Sequence, residues 1–145
     1  MRRALELAGE AAEAGEVPVG AVITRDNEIL AEARNAMRGS LDPTAHAEIM
    51  AIRAAALRLG QPRLDGCALW VTLEPCAMCA AAASLARLKS VHFAAEDPKG
   101  GALVHGPRIF AQASCLHRPE VIGGIGEEES SALLKRFFKE RRGPQ

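Results

Sequence analysis

The sequence predicts an α/β protein of three layers, with helices on both faces of one sheet. Short runs rich in Val and Ile alternate with Ala-rich helical runs along the chain. Gly, Pro, Asp and Asn stand between those runs as caps and turns. The length of 145 residues suits one core, and no linker, repeat or low-complexity tract divides it, so residues 1–145 are expected to form one domain.

The elements follow in order. Leu5, Ala8 and Ala12 share one face of a first helix, while Glu6, Glu10, Glu13 and Glu16 interrupt any apolar run a secretory signal would need. Gly15 and Pro18 punctuate, and Val19–Thr24 reads as a buried strand. Asp26-Asn27 supplies a hairpin turn into a second strand, Ile29 to about Arg34. After a loop, Asp42 and Pro43 stand in N-cap and first-position order, so the next helix is expected over about Thr44–Leu59, closed by Gly60. Ala68–Leu73 has little polar face and reads as an inner strand. Pro75 is expected to open a helix to about Arg87, followed by a short strand at Val91–Ala94. From Asp97 to Pro119 the chain reads as loop, with a short helix near Ile109 and a strand at Val121-Ile122 after it. The final helix, Glu127 to Arg142, is acidic at its start and basic at its end, as the helix dipole favours.

Acidic and basic side chains balance at 18 each, so any attraction for nucleic acid must come from a local patch. No apolar run approaches the ~20 residues a bilayer demands. Four cysteines in a chain without a signal point to metal or thiol chemistry before disulfides, and to the cytoplasm.

Two stretches carry the chemistry: His46-Ala47-Glu48 and Pro75-Cys76-Ala77-Met78-Cys79. Both are expected in first turns of helices, where unpaired N–H groups favour a thiolate. Cysteines three apart share a helix face, so Cys76 and Cys79 can reach one ion together, with His46 as a third ligand. Structural zinc closes all four positions with protein, whereas a catalytic site leaves one for water, whose pKa falls from ~16 toward ~7. Glu48 could then move protons without binding the metal. Two alternatives stand beside this: a Cys-x-x-Cys thiol-redox motif, and a structural zinc completed by Cys67, Cys115, His92, His105 or His117. Cys67 opens a buried strand and is most simply a core residue; His92 reads as a strand side chain, and Glu74 as a cap or packing residue that could also support the site.

His-x-Glu followed by Pro-Cys-x-x-Cys is a known signature of zinc nucleobase deaminases. With Glu16–Val22, Asp42–Ile49, Thr72–Cys79, Asp97–Ala102 and Leu133–Arg142, the chain resembles the cytidine deaminase-like superfamily and, within it, the bacterial tRNA-specific adenosine deaminases. That resemblance implies a mixed five-stranded sheet between helices, a homodimer and one Zn2+ per chain on His46, Cys76 and Cys79. It implies Glu48 as proton shuttle, Asn35 on the flipped base and the Ala47 backbone in the same pocket. It also implies hydrolysis of a wobble adenosine to inosine in a tRNA anticodon stem-loop, touched by Lys99, Arg118, Phe138, Arg141 and Arg142. Glu96 and the stretch Leu103–His117 depart from the family's usual pattern.

The last helix allows two readings from its residues alone. Phe137 and Phe138 beside Lys139, Arg141 and Arg142 could support and grip RNA. Equally, Leu133, Leu134, Phe137 and Phe138 form i,i+4 pairs that could make one core stripe. A deaminase of a free base or nucleoside such as guanine, cytosine or cytidine is the alternative to the RNA substrate.

Overall fold

A computed structural model describes residues 1–142, the last by its backbone alone. The elements are α1 (Arg2–Glu13), β1 (Gly20–Arg25), β2 (Glu28–Arg34), α2 (Ala47–Leu59), β3 (Ala68–Leu73), α3 (Ala77–Leu85), β4 (Ser90–Ala95), a 3-10 turn at Ile109–Ala111, β5 (Glu120–Gly123) and α4 (Glu127–Arg142). The five strands form one mixed sheet in the order β2-β1-β3-β4-β5. Strands β1–β2 and β1–β3 pair antiparallel, while β3–β4 and β4–β5 pair parallel.

Alternation along the strands sorts side chains to two faces. Ala21, Ile23, Leu69, Val71, Val91 and Phe93 enter the main core beneath α2 and α3. Val22 packs with Ala4 and Leu7 of α1 on the other face, with Trp70 against them. His92 is the register partner of Trp70, and the two rings stack at 3.9 Å. Helix α4 joins α1 on that second face, where Ser130 Oγ donates to the Thr72 carbonyl at 2.5 Å. The three-layer expectation and the mixed five-stranded sheet both hold.

The hairpin turn uses Asp26 and Asn27 with φ of 50° and 65°, the left-handed pair that matches strand twist. Gly60 closes α2 at φ 68°, as its placement predicts. One boundary is corrected. Helix α2 begins at Ala47, not Thr44, because Asp42 Oδ1 binds the Thr44 N–H at 2.9 Å and its hydroxyl at 2.7 Å, closing a separate turn. Likewise α3 begins at Ala77, two residues after Pro75. Among the described residues no helix is long and apolar enough to cross a membrane.

Candidate metal centre and base pocket

The later helix starts change what His46 and Cys76 are. Each is the N-cap residue of its helix, in extended backbone conformation, so its side chain leaves the helix axis instead of lying along it. Neither side chain caps its own helix. Both are spent on each other: His46 Nδ1 lies 3.6 Å from Cys76 Sγ and 3.6 Å from Cys79 Sγ. The three ligand atoms lie within 4.8 Å of one another and could hold a metal ion; they are the one such group found among the described residues.

The nominal fourth ligands are elsewhere. Cys67 is buried in the main core, and His92 lies on the opposite sheet face against Trp70. His117 Nε2 is 2.7 Å from the Leu88 carbonyl, and Cys115 lies by Ser84 at 3.4 Å. His105 is bound to Glu74.

Charge at the site is set by burial and by the thiols themselves. A hydrogen bond from Cys79 holds the Cys76 thiol down at about 5, and the same bond together with burial pushes Cys79 up, so the pair carries one thiolate readily. Glu48, at the second position of α2, is buried, and that burial pushes its carboxyl up to about 7. A carboxyl there can both take and give a proton near neutral pH.

These groups face a pocket of about 210 Å³ lined by His46, Glu48, Cys76, Asn35, Glu74 and Asp97, among others. It shares Val17, Leu73, Asp97 and Gly100 with a groove of about 810 Å³ that continues to Lys99, Glu96, Leu134, Phe138 and Arg141. A narrow pocket, largely apolar but with His46, Glu48, Cys76 and Asn35 in its wall, therefore opens into a wider trough with both charged and aromatic walls.

The structure divides the residues singled out from sequence. Phe137 is 9% exposed and packs inward, while Phe138 is 46% exposed on the groove. The burial of Phe137 agrees with the core-stripe reading of the last helix, and Phe138 is left facing the groove. Arg141 donates to the Gly15 carbonyl at 2.9 Å and lies 4.9 Å over the Phe137 ring. Arg118 stands apart from the groove, donating to the carbonyls of Cys115 and Gln112 at 3.4 Å. The Arg142 side chain lies outside the described residues.

Two buried carboxylates lie beside the pocket, of which the sequence offers Glu74 as a cap or packing residue that could also support the site and gives Glu16 no such role. Glu16 accepts the N–H groups of Arg38 and Gly39 at 3.1 and 2.9 Å. Glu74 gathers a longer loop on the other side. The available signal was an acidic residue adjoining a buried apolar segment, Glu16 before Val17-Pro18 and Glu74 between Leu73 and Pro75.

The family model of MafB19-like deaminases matches residues 1–142. A tRNA-specific adenosine deaminase of Agrobacterium fabrum is 50% identical over 142 residues, 98% of this chain and 93% of that protein. A solved structure from work on A-to-I editing by tRNA:A34 deaminases at the wobble position superposes with a TM-score of 0.91 at 50% identity, covering 92% of this chain and 97% of its own. A guanine deaminase structure from Bacillus subtilis is also 50% identical, with a TM-score of 0.64 over 66% of this chain and 61% of its own.

Proposed function

Because the chain belongs to the MafB19-like deaminase family, we propose that it is a zinc-dependent hydrolase converting adenosine to inosine at the wobble position of a tRNA. The observation that carries this is the joined pair of spaces: Glu48, His46 and Cys76, with Cys79 buried behind them, at a pocket sized for one base that opens onto the Phe138–Lys99–Arg141 groove. The named relatives that act on tRNA adenosine support it.

The donor set fits zinc. Around a tetrahedral ion with Zn–N near 2.0–2.1 Å and Zn–S near 2.3 Å, nitrogen and sulfur stand about 3.6 Å apart. His46 Nδ1 is 3.6 Å from each sulfur, so both nitrogen–sulfur edges already have the required length. One imidazole and two thiolates are a zinc donor set, and three ligands are the number of a catalytic site. Zinc bound there supplies the Lewis acidity that makes water a nucleophile at neutral pH.

The protein's own groups do the rest. Glu48 takes a proton from the attacking water and delivers one to the departing amine, so that C6 of adenine exchanges its C–N bond for a carbonyl and ammonia leaves. Asn35 and the Ala47 backbone border the ring. Flanking nucleotides lie in the groove, where the Phe138 face offers stacking and Lys99 and Arg141 offer phosphate contacts. Residues 1–145 act as one domain. The unpaired cysteines and a tRNA substrate support the cytoplasm as the compartment of this chemistry.

Incubating the purified protein with an adenosine-containing anticodon stem-loop should yield inosine. Turnover confined to free guanine, adenosine, cytosine or cytidine would reject the RNA substrate. That second reading is favoured by the guanine deaminase structure, and by a pocket large enough for a base alone.

We further propose a homodimer. Leu85 on α3 and Leu116, 80% and 87% exposed, flank a cavity of about 400 Å³. Light scattering should give twice the chain mass, and Leu85→Glu should shift it toward one copy.

A further inference from the structure

Glu74 stands at the end of β3, two residues before Cys76, and its carboxylate is wrapped by another part of the chain. Oε2 accepts the N–H groups of Leu103, Val104 and His105 at 3.1, 3.0 and 3.1 Å. Oε1 accepts the Asp97 N–H at 3.1 Å and lies 2.8 Å from His105 Nδ1. Five donors thus meet a group with about four lone-pair sites, so its hydrogen-bonding capacity is filled by protein. Gly101 lies directly against it, since a Cβ there would stand 2.5 Å from Glu74 Oε2 and 2.5 Å from the Asp97 carbonyl oxygen.

The consequence lies in what this loop builds. Asp97 and Gly100 line both the base pocket and the groove, and Lys99 extends the same wall. Asp97 Oδ1 in turn holds the N–H groups of Lys99 and Gly100 at 3.2 and 3.0 Å. The side of the substrate space facing α4 therefore takes its position from one buried carboxylate.

We infer that Glu74 is a positioning residue for substrate: by gathering Asp97 and residues 103–105 it seats the wall on which the target base and its neighbour rest. The inference rests on the deaminase reading above. Glu74 acts through the loop, so its loss should weaken binding of substrate much more than it slows the bound reaction. Glu74→Gln keeps the shape but turns one acceptor into a donor facing N–H groups.

The test compares wild-type and Glu74→Gln protein, each loaded with zinc, on an adenosine stem-loop and on free guanine. For whichever substrate the wild type deaminates, KM should rise roughly 10-fold with kcat within about threefold, since a broken buried hydrogen-bond cluster costs on this scale. Zinc should stay at one per chain, and the amides of 103–105 should exchange faster. An unchanged KM, or a fall in zinc content or kcat with KM unchanged, would overturn the inference. Should Glu74→Gln not fold, His105→Ala removes one of the five donors; it should raise KM by about threefold, and an unchanged KM there also overturns it. A wild type that deaminates neither of these, nor free adenosine, cytosine or cytidine, rejects the deaminase reading itself, and this inference with it, which separates the two failures.

Discussion

Asn35 caps the helix that His46 begins: its Oδ1 accepts the Ala47 backbone N–H at 2.8 Å. The first N–H groups of a helix have no partner within it, and the N-cap side chain usually supplies one. His46 cannot, because its Nδ1 faces the thiols. Asn35, arriving from the end of β2, does so instead, and its Nδ2 donates to the Val17 carbonyl at 3.2 Å. The two residues expected to border a base are thus bound to each other, and Asn35 orients the ligand helix as well as lining the pocket.

Asn35→Ala should therefore harm both fold and chemistry. It leaves the buried Ala47 N–H without a partner, at a cost of about 1–3 kcal/mol. A lowered Tm together with a loss in kcat/KM is expected; a fall in kcat/KM at unchanged Tm would show that the cap contributes nothing.

Glu48→Ala should retain zinc, because Glu48 is outside the ligand group, while turnover drops about 100- to 10,000-fold. Metal analysis beside a deamination assay decides it. Retained turnover would assign the proton to another group.

Removing the metal should abolish activity and lower stability. Zinc at 100 times its Kd stabilises the folded state by about 2.7 kcal/mol if the unfolded chain does not bind it. Thermal melts of chelated protein with zinc added back should recover Tm and turnover together. Full activity after chelation would remove zinc from the reaction.

Phe137→Ala and Phe138→Ala should differ in kind. The buried ring of Phe137 predicts a loss of about 3 kcal/mol in denaturant unfolding. The half-exposed Phe138 should cost less in stability and weaken stem-loop binding by about 1–3 kcal/mol, the scale of one base stacked on an aromatic ring. Equal RNA binding by wild type and Phe138→Ala would take this ring out of the interface.

Acid should loosen the pocket through Glu16. Burial alone would raise its pKa, but the N–H groups of Arg38 and Gly39, with the charges of Arg34 and Arg38, outweigh that and hold it below the usual glutamate value. A depressed pKa contributes stability above the unfolded value near 4.5, and that contribution is lost as pH falls through the folded pKa. Wild type should thus lose stability more steeply than Glu16→Gln below about pH 4.5. Parallel curves would mean that the carboxylate is not coupled to folding.

The sequence by itself determined the Cys76–Cys79 pair, the element order and the closing Gly60, because each follows from local spacing or backbone preference; that His46 joins the two thiols, with Glu48 buried nearby, is settled across 30 and 33 positions by the packed structure. Cys76 and Cys79 stand three apart whatever surrounds them, and Val- and Ile-rich runs remain strands in this sheet. Helix starts were less legible: Asp42-Pro43 is a sound cap signal that here closes a turn, since only the packed structure commits His46 to the thiols. The same holds for Phe137 and Phe138, adjacent in sequence and both hydrophobic, yet sent to core and groove by how α4 rests on its neighbours. The contacts of Asn35 with Ala47, Glu16 with Arg38 and Glu74 with residues 97–105 span 12 to 31 positions. No local rule links residues so far apart, so only the tertiary structure could decide which buried polar groups hold the walls of the pocket.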